Sequence, residues 1–126
     1  MLEVYSLNVS VPAETAIPLN NVTIQKGCTA VNSAPATIQL NKCGVYMVSC
    51  DASSASTGAA IQLYKNGIAQ PQAQSTGGSP CFTTLVQVDH DNSNCCCASP
   101  TLLQIFNPTD AEILYTNVNV CVTKIC

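Results

Sequence analysis

Three consecutive cysteines, Cys95-Cys96-Cys97, and the single histidine, His90, five residues before them, are the residues best suited to chemistry. Thiolate and imidazole together suit zinc or iron, so His90, Cys95, Cys96 and Cys97 are the candidate metal ligands. Their spacing is not the Cys-x-x-Cys of a zinc knuckle. In a strand neighbouring side chains point to opposite faces, so Cys95 and Cys97 can point together while Cys96 points away, and one chain cannot easily bring all three to one ion. In a trimer, equivalent copies near the axis would meet instead. The competing reading makes these cysteines small buried hydrophobes, a common role of free cysteine, with no cofactor at all.

His90 also stands between Asp89 and Asp91, a carboxylate–imidazole grouping that resembles a catalytic pair and also suits a solvated loop tip. The chain contains no Gly-x-Ser-x-Gly, no His-Glu-x-x-His and no phosphate-binding glycine loop. With one His and no Arg, most acid–base and phosphoryl-transfer constellations cannot be assembled. An enzyme is the least expected class.

Nine cysteines are an odd number, so at least one thiol is free, metal-bound or joined to another chain. Cys43 and Cys50 flank one apparent strand. Seven extended residues span roughly 20 Å, whereas a disulfide needs Cα atoms within about 7 Å, so these two cannot bridge each other. Cys121 alternates with Val120 and Val122 and shares a polar face with Asn119 and Thr123, where it can meet a neighbouring strand or subunit. Thiols made in a reducing cytosol start reduced; oxidation after release would lock an assembly already formed.

Composition narrows the setting. The 126 residues are 47% hydrophobic and only 9% charged, against roughly 25% charged in ordinary soluble domains. Ser, Thr, Asn and Gln must cover much of the surface, which suits assembly. The length predicts one domain, residues 1–126, with a single core. Four lysines, no arginine and a net charge of -3 leave no basic stripe for phosphates, so neither nucleic acid nor an acidic membrane is an expected partner. The start, Met1-Leu2-Glu3-Val4-Tyr5, has no basic n-region followed by an apolar run, and predicts cytoplasmic synthesis without a signal peptide.

The elements that would position these residues are short strands. Tyr5, Leu7, Val9 and Val11 alternate with polar residues and predict a first strand ended by Pro12. A short extended piece is expected at 16–19, a strand over Val22–Gln25 and a loop over 28–35. Residues 36–40 read as a strand with Ile38 and Leu40 on one face, 45–50 as a strand with Tyr46, Val48 and Cys50 together, and 60–65 as a third, closed by the Asn66-Gly67 turn. Residues 70–80, polar and rich in Gly and Pro, predict a loop. Phe82, Thr84, Val86 and Val88 share one strand face, 89–100 is a turn-rich excursion, 102–106 is a strand, and Ile113–Tyr115 followed by Val118, Val120 and Val122 completes about nine. Many short strands with Gly, Pro and Asn turns predict an all-β sandwich or barrel. An immunoglobulin-like sandwich usually carries a core Trp, and this chain has none.

The order of the alternating strand at 36–40, the Gly44-x-Tyr46-x-Val48 step and Ile61-x-Leu63-x-x-Asn66-Gly67 resembles the tumour-necrosis-factor/C1q-like jelly-roll family. The nearest resemblance is to bacterial exosporium collagen-like protein heads and phage head-fibre or decoration proteins. It is best over residues 36–67 and looser to Cys126. The resemblance implies a jelly-roll sandwich of about 9–10 strands that forms a homotrimer, with the first and last strands in the sheet facing the threefold axis. It also makes Phe106 and Tyr115 candidates for a subunit contact. A structural module on a virion surface, decorating or extending a phage head, is the expected role. A spore-surface or appendage subunit is the first alternative. The second is a trimeric head that binds a glycan or receptor through residues 51–60, 70–80 and 89–100. The expected partners are further copies of the chain and a larger particle such as a capsid or spore coat.

Overall fold

A computed structural model describes residues 1–27, 29–32, 36–88 and 101–125, with 29–32 described by backbone alone. These residues contain no helix and form two antiparallel sheets. The strands are β1 (Leu2–Val11), β2 (Thr15–Ala16), β3 (Asn21–Gln25), β4 (Thr29–Asn32), β5 (Thr37–Leu40), β6 (Gly44–Ser53), β7 (Ala60–Lys65), β8 (Ile68–Thr76), β9 (Cys81–Val88), β10 (Thr101–Asn107) and β11 (Ile113–Lys124). One sheet runs β3-β1-β11-β6-β9; the other runs β4-β5-β10-β7-β8, with β2 also paired to β10. The predicted all-β sandwich is therefore observed.

Period-two alternation builds the core. On β6, Tyr46, Val48, Cys50 and Ala52 point inward; on β9, Phe82, Val86 and Val88 do; and on β11, Val118, Val120 and Val122 do. Ile38, Leu40, Ile61, Leu63, Leu103 and Ile105 close the core from the other sheet. Removing such side chains from water stabilises by about 1.5–3 kcal/mol each.

Three expectations need correction. The first concerns β1: Leu2, Val4 and Ser6 are the buried set, whereas Tyr5 and Leu7 point outward. Asn8 has φ 52°, a left-handed conformation that Asn tolerates better than most residues. The strand changes face there, so Val11 is buried again. β11 changes face at the same level, because Thr116 and Asn117 are both exposed between buried Tyr115 and Val118. The pairs Leu7↔Asn117 and Val9↔Tyr115 hold the register through the switch, so the two expected pieces at 113–115 and 118–122 are one strand.

Secondly, 28–35 is not all loop, since Thr29–Asn32 pairs with β5. Thirdly, most of 70–80 is strand. Lys65↔Ile68 flank a two-residue turn in which Asn66 and Gly67 both have positive φ, the geometry that lets a hairpin keep its twist. β8 then follows β7 despite Pro71, because it is an edge strand and its register shifts between the pairs to Gln62 and Tyr64. Proline is tolerated at such positions.

Polar side chains pin the irregular segments. Ser6 Oγ donates to the Pro18 carbonyl at 2.6 Å and accepts from the Asn20 N–H at 3.0 Å, which holds Ile17 and Leu19 in the core. Buried Asn107 donates through Nδ2 to the carbonyls of Val11, Pro12 and Ala111, and its Oδ1 accepts from the Thr109 N–H and hydroxyl.

Candidate functional site

The predicted metal ligands His90, Cys95, Cys96 and Cys97 lie outside the described residues. Among the described residues no group of three or more His, Cys, Asp or Glu side chains comes together to hold an ion. Cys50, Cys81 and Cys121 are free thiols, and Cys43 is disulfide-bonded. Cys43 and Cys50 therefore do not bridge each other, as strand length requires.

The feature that stands out is the outward face of the β3-β1-β11-β6-β9 sheet. Its residues form rows across the strands. Tyr5, Asn119, Asp51 and Cys81 lie in one register, then Ile24, Glu3, Cys121, Ser49 and Thr83, then Thr123, Met47 and Leu85. Leu85 is 58%, Leu7 52% and Met47 40% exposed, and Ile24 on β3, opposite Glu3, is exposed as well. In these rows the charged groups are Glu3 and Asp51, with no lysine. Ordinary sheet surfaces blunt such a face and its edges with charge, proline or cover; β9 has neither charge nor proline.

Glu3 is held by its neighbours. Thr23 Oγ1 donates to Oε1 at 2.7 Å, and Cys121 Sγ donates to Oε2 at 3.2 Å. These bonds, Thr23 first and then Cys121, lower the Glu3 carboxyl below its usual range. The Cys121 thiol moves the other way, raised by desolvation and then by donating to Glu3. It is thus a protonated donor at neutral pH rather than a reactive thiolate. Asn119 Nδ2 lies 3.8 Å from its sulfur. The expectation that Cys121 meets a neighbouring strand holds, and the partner is a carboxylate.

The two aromatic residues expected at a subunit contact differ in where they stand. Tyr115 is fully buried between the sheets, its hydroxyl bonded to Ala60, because β11 has switched face at Thr116. Phe106 lies on the outward face of the other sheet, stacked on Tyr64 with ring centroids 4.0 Å apart and planes at 17°.

No family model matches the chain, and no curated protein matches it in sequence. Among solved structures it is similar to PRD1 vertex protein P5, at 13% identity and a TM-score of 0.68 over 99% of this chain and 96% of that one. Eiger, a TNF from S. frugiperda, is 10% identical with a TM-score of 0.67 over 99% and 92% of the two chains. Rabbit GITRL is 12% identical with a TM-score of 0.62 over 100% and 95%. The fold is the tumour-necrosis-factor-type jelly roll. At these identities the likeness is one of fold. In this jelly roll the exposed apolar rows occupy one sheet, and the Tyr64–Phe106 stack occupies the other.

Proposed function

We propose that the chain is a structural subunit of a virion surface, assembled as a homotrimer through the outward face of the β3-β1-β11-β6-β9 sheet. The observation that carries this reading is the face itself. Leu7, Met47 and Leu85 stand exposed among mostly neutral polar residues, and of the two carboxylates on the face, Glu3 is already hydrogen-bonded through both oxygens, which leaves Asp51 as the one exposed charge to be covered. Such a face costs little to desolvate, and an obligate interface of this kind buries roughly 2,000 Å² or more. The shared jelly roll with PRD1 vertex protein P5 supports the virion setting. No enzymatic role is proposed.

Light scattering tests the assembly. The expected particle is about three times the 13.2 kDa chain, with or without reductant, melting in a concentration-dependent transition. Leu85→Asp should give a folded monomer. A monodisperse wild-type monomer at micromolar concentration would refute the trimer. Labelled antibody on intact particles then separates a virion from a spore coat.

A further inference from the structure

Cys43 is disulfide-bonded, whereas Cys50, Cys81 and Cys121 are free thiols. Of the nine cysteines only Cys28, Cys95, Cys96, Cys97 and Cys126 then remain, so the partner of Cys43 is one of these five. They lie outside the described residues, but covalent geometry ties each to described neighbours, and those neighbours stand at the Cys43 end of the sandwich. Cys43 itself is in the turn between β5 and β6, where Tyr46 donates its hydroxyl hydrogen to the Lys42 carbonyl at 2.8 Å. Thr29, the residue after Cys28, pairs with Leu40 at the start of that turn. Thr101 pairs with Leu40 from the other side, and Val88, from which the chain leaves for 89–100, pairs with Gly44. Ile125, the residue before Cys126, donates its N–H to the Val45 carbonyl at 2.8 Å. Chain steps of about 3.8 Å keep Cys28 and Cys126 beside these anchors, and Cys97 within about 14 Å of Thr101.

We infer that Cys43 and these five cysteines pair with one another within the chain, as three disulfides that staple one end of the sandwich, while Cys50, Cys81 and Cys121 stay thiols. Setting the three free thiols aside leaves an even number, so no cysteine is left over. The anchors belong to β4, β5 and β10 of one sheet and to β6, β9 and β11 of the other, so bridges among their neighbours can join the two layers. The free thiols are kept apart by the same topology. Cys50 faces the core, and β6 separates Cys81 on β9 from Cys121 on β11. Two strand spacings are about 10 Å, beyond the reach of about 7 Å for a bridge. Pairing within the chain is favoured over pairing between copies because tethered groups meet at an effective concentration in the millimolar range. Each bridge forms when two S–H groups give up two protons and two electrons to a low-molecular-weight disulfide, which leaves as two thiols. A disulfide sulfur is no thiolate, so this pairing takes Cys95, Cys96 and Cys97 out of any metal site. It does not depend on the proposed trimer.

The test uses the full chain, equilibrated in an oxidising glutathione buffer, then unfolded in guanidinium and alkylated with iodoacetamide. Intact mass should count three adducts without reduction and nine after it, and a non-reducing denaturing gel should show a single-chain band. Cys43→Ser orphans one partner and should raise the unreduced count to four, with peptide mapping placing the new thiol at one of the five. Cys81→Ser should lower the count to two. These counts are made on unfolded chains, so they hold whether or not a variant folds. Reduction of the folded wild type should lower its melting temperature by about 10 °C or more. Any unreduced wild-type count other than three overturns the pairing, and a higher count with zinc or iron in the sample assigns those thiols to a metal. Bands of two or three chains overturn it in favour of bridges between copies. A melting temperature that reduction leaves unchanged overturns the staple.

Discussion

Tyr115 on β11 reaches across the sandwich and donates its hydroxyl hydrogen to the Ala60 carbonyl of β7 at 2.6 Å, tying one sheet to the other inside the core. Burial raises the phenol to about 12, so it remains a donor throughout the working range. Tyr115→Phe keeps the ring and orphans that buried carbonyl. Urea unfolding should show a loss of about 1–3 kcal/mol with an unchanged far-UV spectrum.

Asn107 makes a stronger prediction because no other side chain reaches the same three carbonyls. Asn107→Ala removes one donor from each of Val11, Pro12 and Ala111 at once, leaving Pro12 with Thr15 and Ala111 with Thr109 as side-chain donors, and Asn107→Asp replaces the donating nitrogen by a carboxylate facing carbonyl oxygens. Losses of about 2–4 kcal/mol are expected for alanine, and a larger one for aspartate. Equal stability of the aspartate variant and the wild type would show that the end of β1 is held by packing alone.

The legible parts of this fold are those where one period runs unbroken. Tyr46, Val48 and Cys50, then Phe82, Val86 and Val88, and then Val118, Val120 and Val122 all face inward as their spacing predicts. β1 misleads because its period breaks at Asn8, and a φ of 52° leaves no mark in hydropathy. β8 is hidden by Pro71 and by glutamines that suit a loop equally well; only its pairing to β7 makes it a strand. Two long-range contacts are products of register. Glu3 meets Cys121 from 118 residues away, and Tyr64 meets Phe106 only because Gln104 falls opposite Tyr64. No local pattern encodes either meeting.

Parity on β6 separates folding from assembly. Val48 is fully buried, whereas Ser49 lies on the outward face between Cys121 and Thr83. Val48→Asp should abolish soluble folded protein, since a buried unpaired carboxylate costs several kcal/mol. Ser49→Asp places a new charge next to Glu3 and Asp51 on the proposed interface. It should fold, with native circular dichroism, and sediment at one third of the wild-type mass. A Ser49→Asp particle of wild-type mass would move the subunit contact off this face.

Alkaline pH probes the core thiol. Burial, and secondarily the nearby Asp51, Cys121 and Cys81, push Cys50 far above the ordinary 9.0. Below pH 9.0 the folded and unfolded chains both keep this proton, and its contribution to stability is fully present. Above it the unfolded chain releases the proton while the folded chain retains it, so stability falls as pH rises toward the folded value. One such thiol gives a slope of about 1.4 kcal/mol per pH unit. Cys121 and Tyr115 are raised too and act in the same direction. Cys50→Ala removes only its own share. Between about pH 8 and 10.5 the variant should lose about 2 kcal/mol less than the wild type, measured by urea titration under argon so that thiol oxidation does not intervene. Parallel curves for the two proteins would mean that the Cys50 proton leaves as readily from the folded chain as from the unfolded one, and that β6 opens far enough at alkaline pH to let water reach the core.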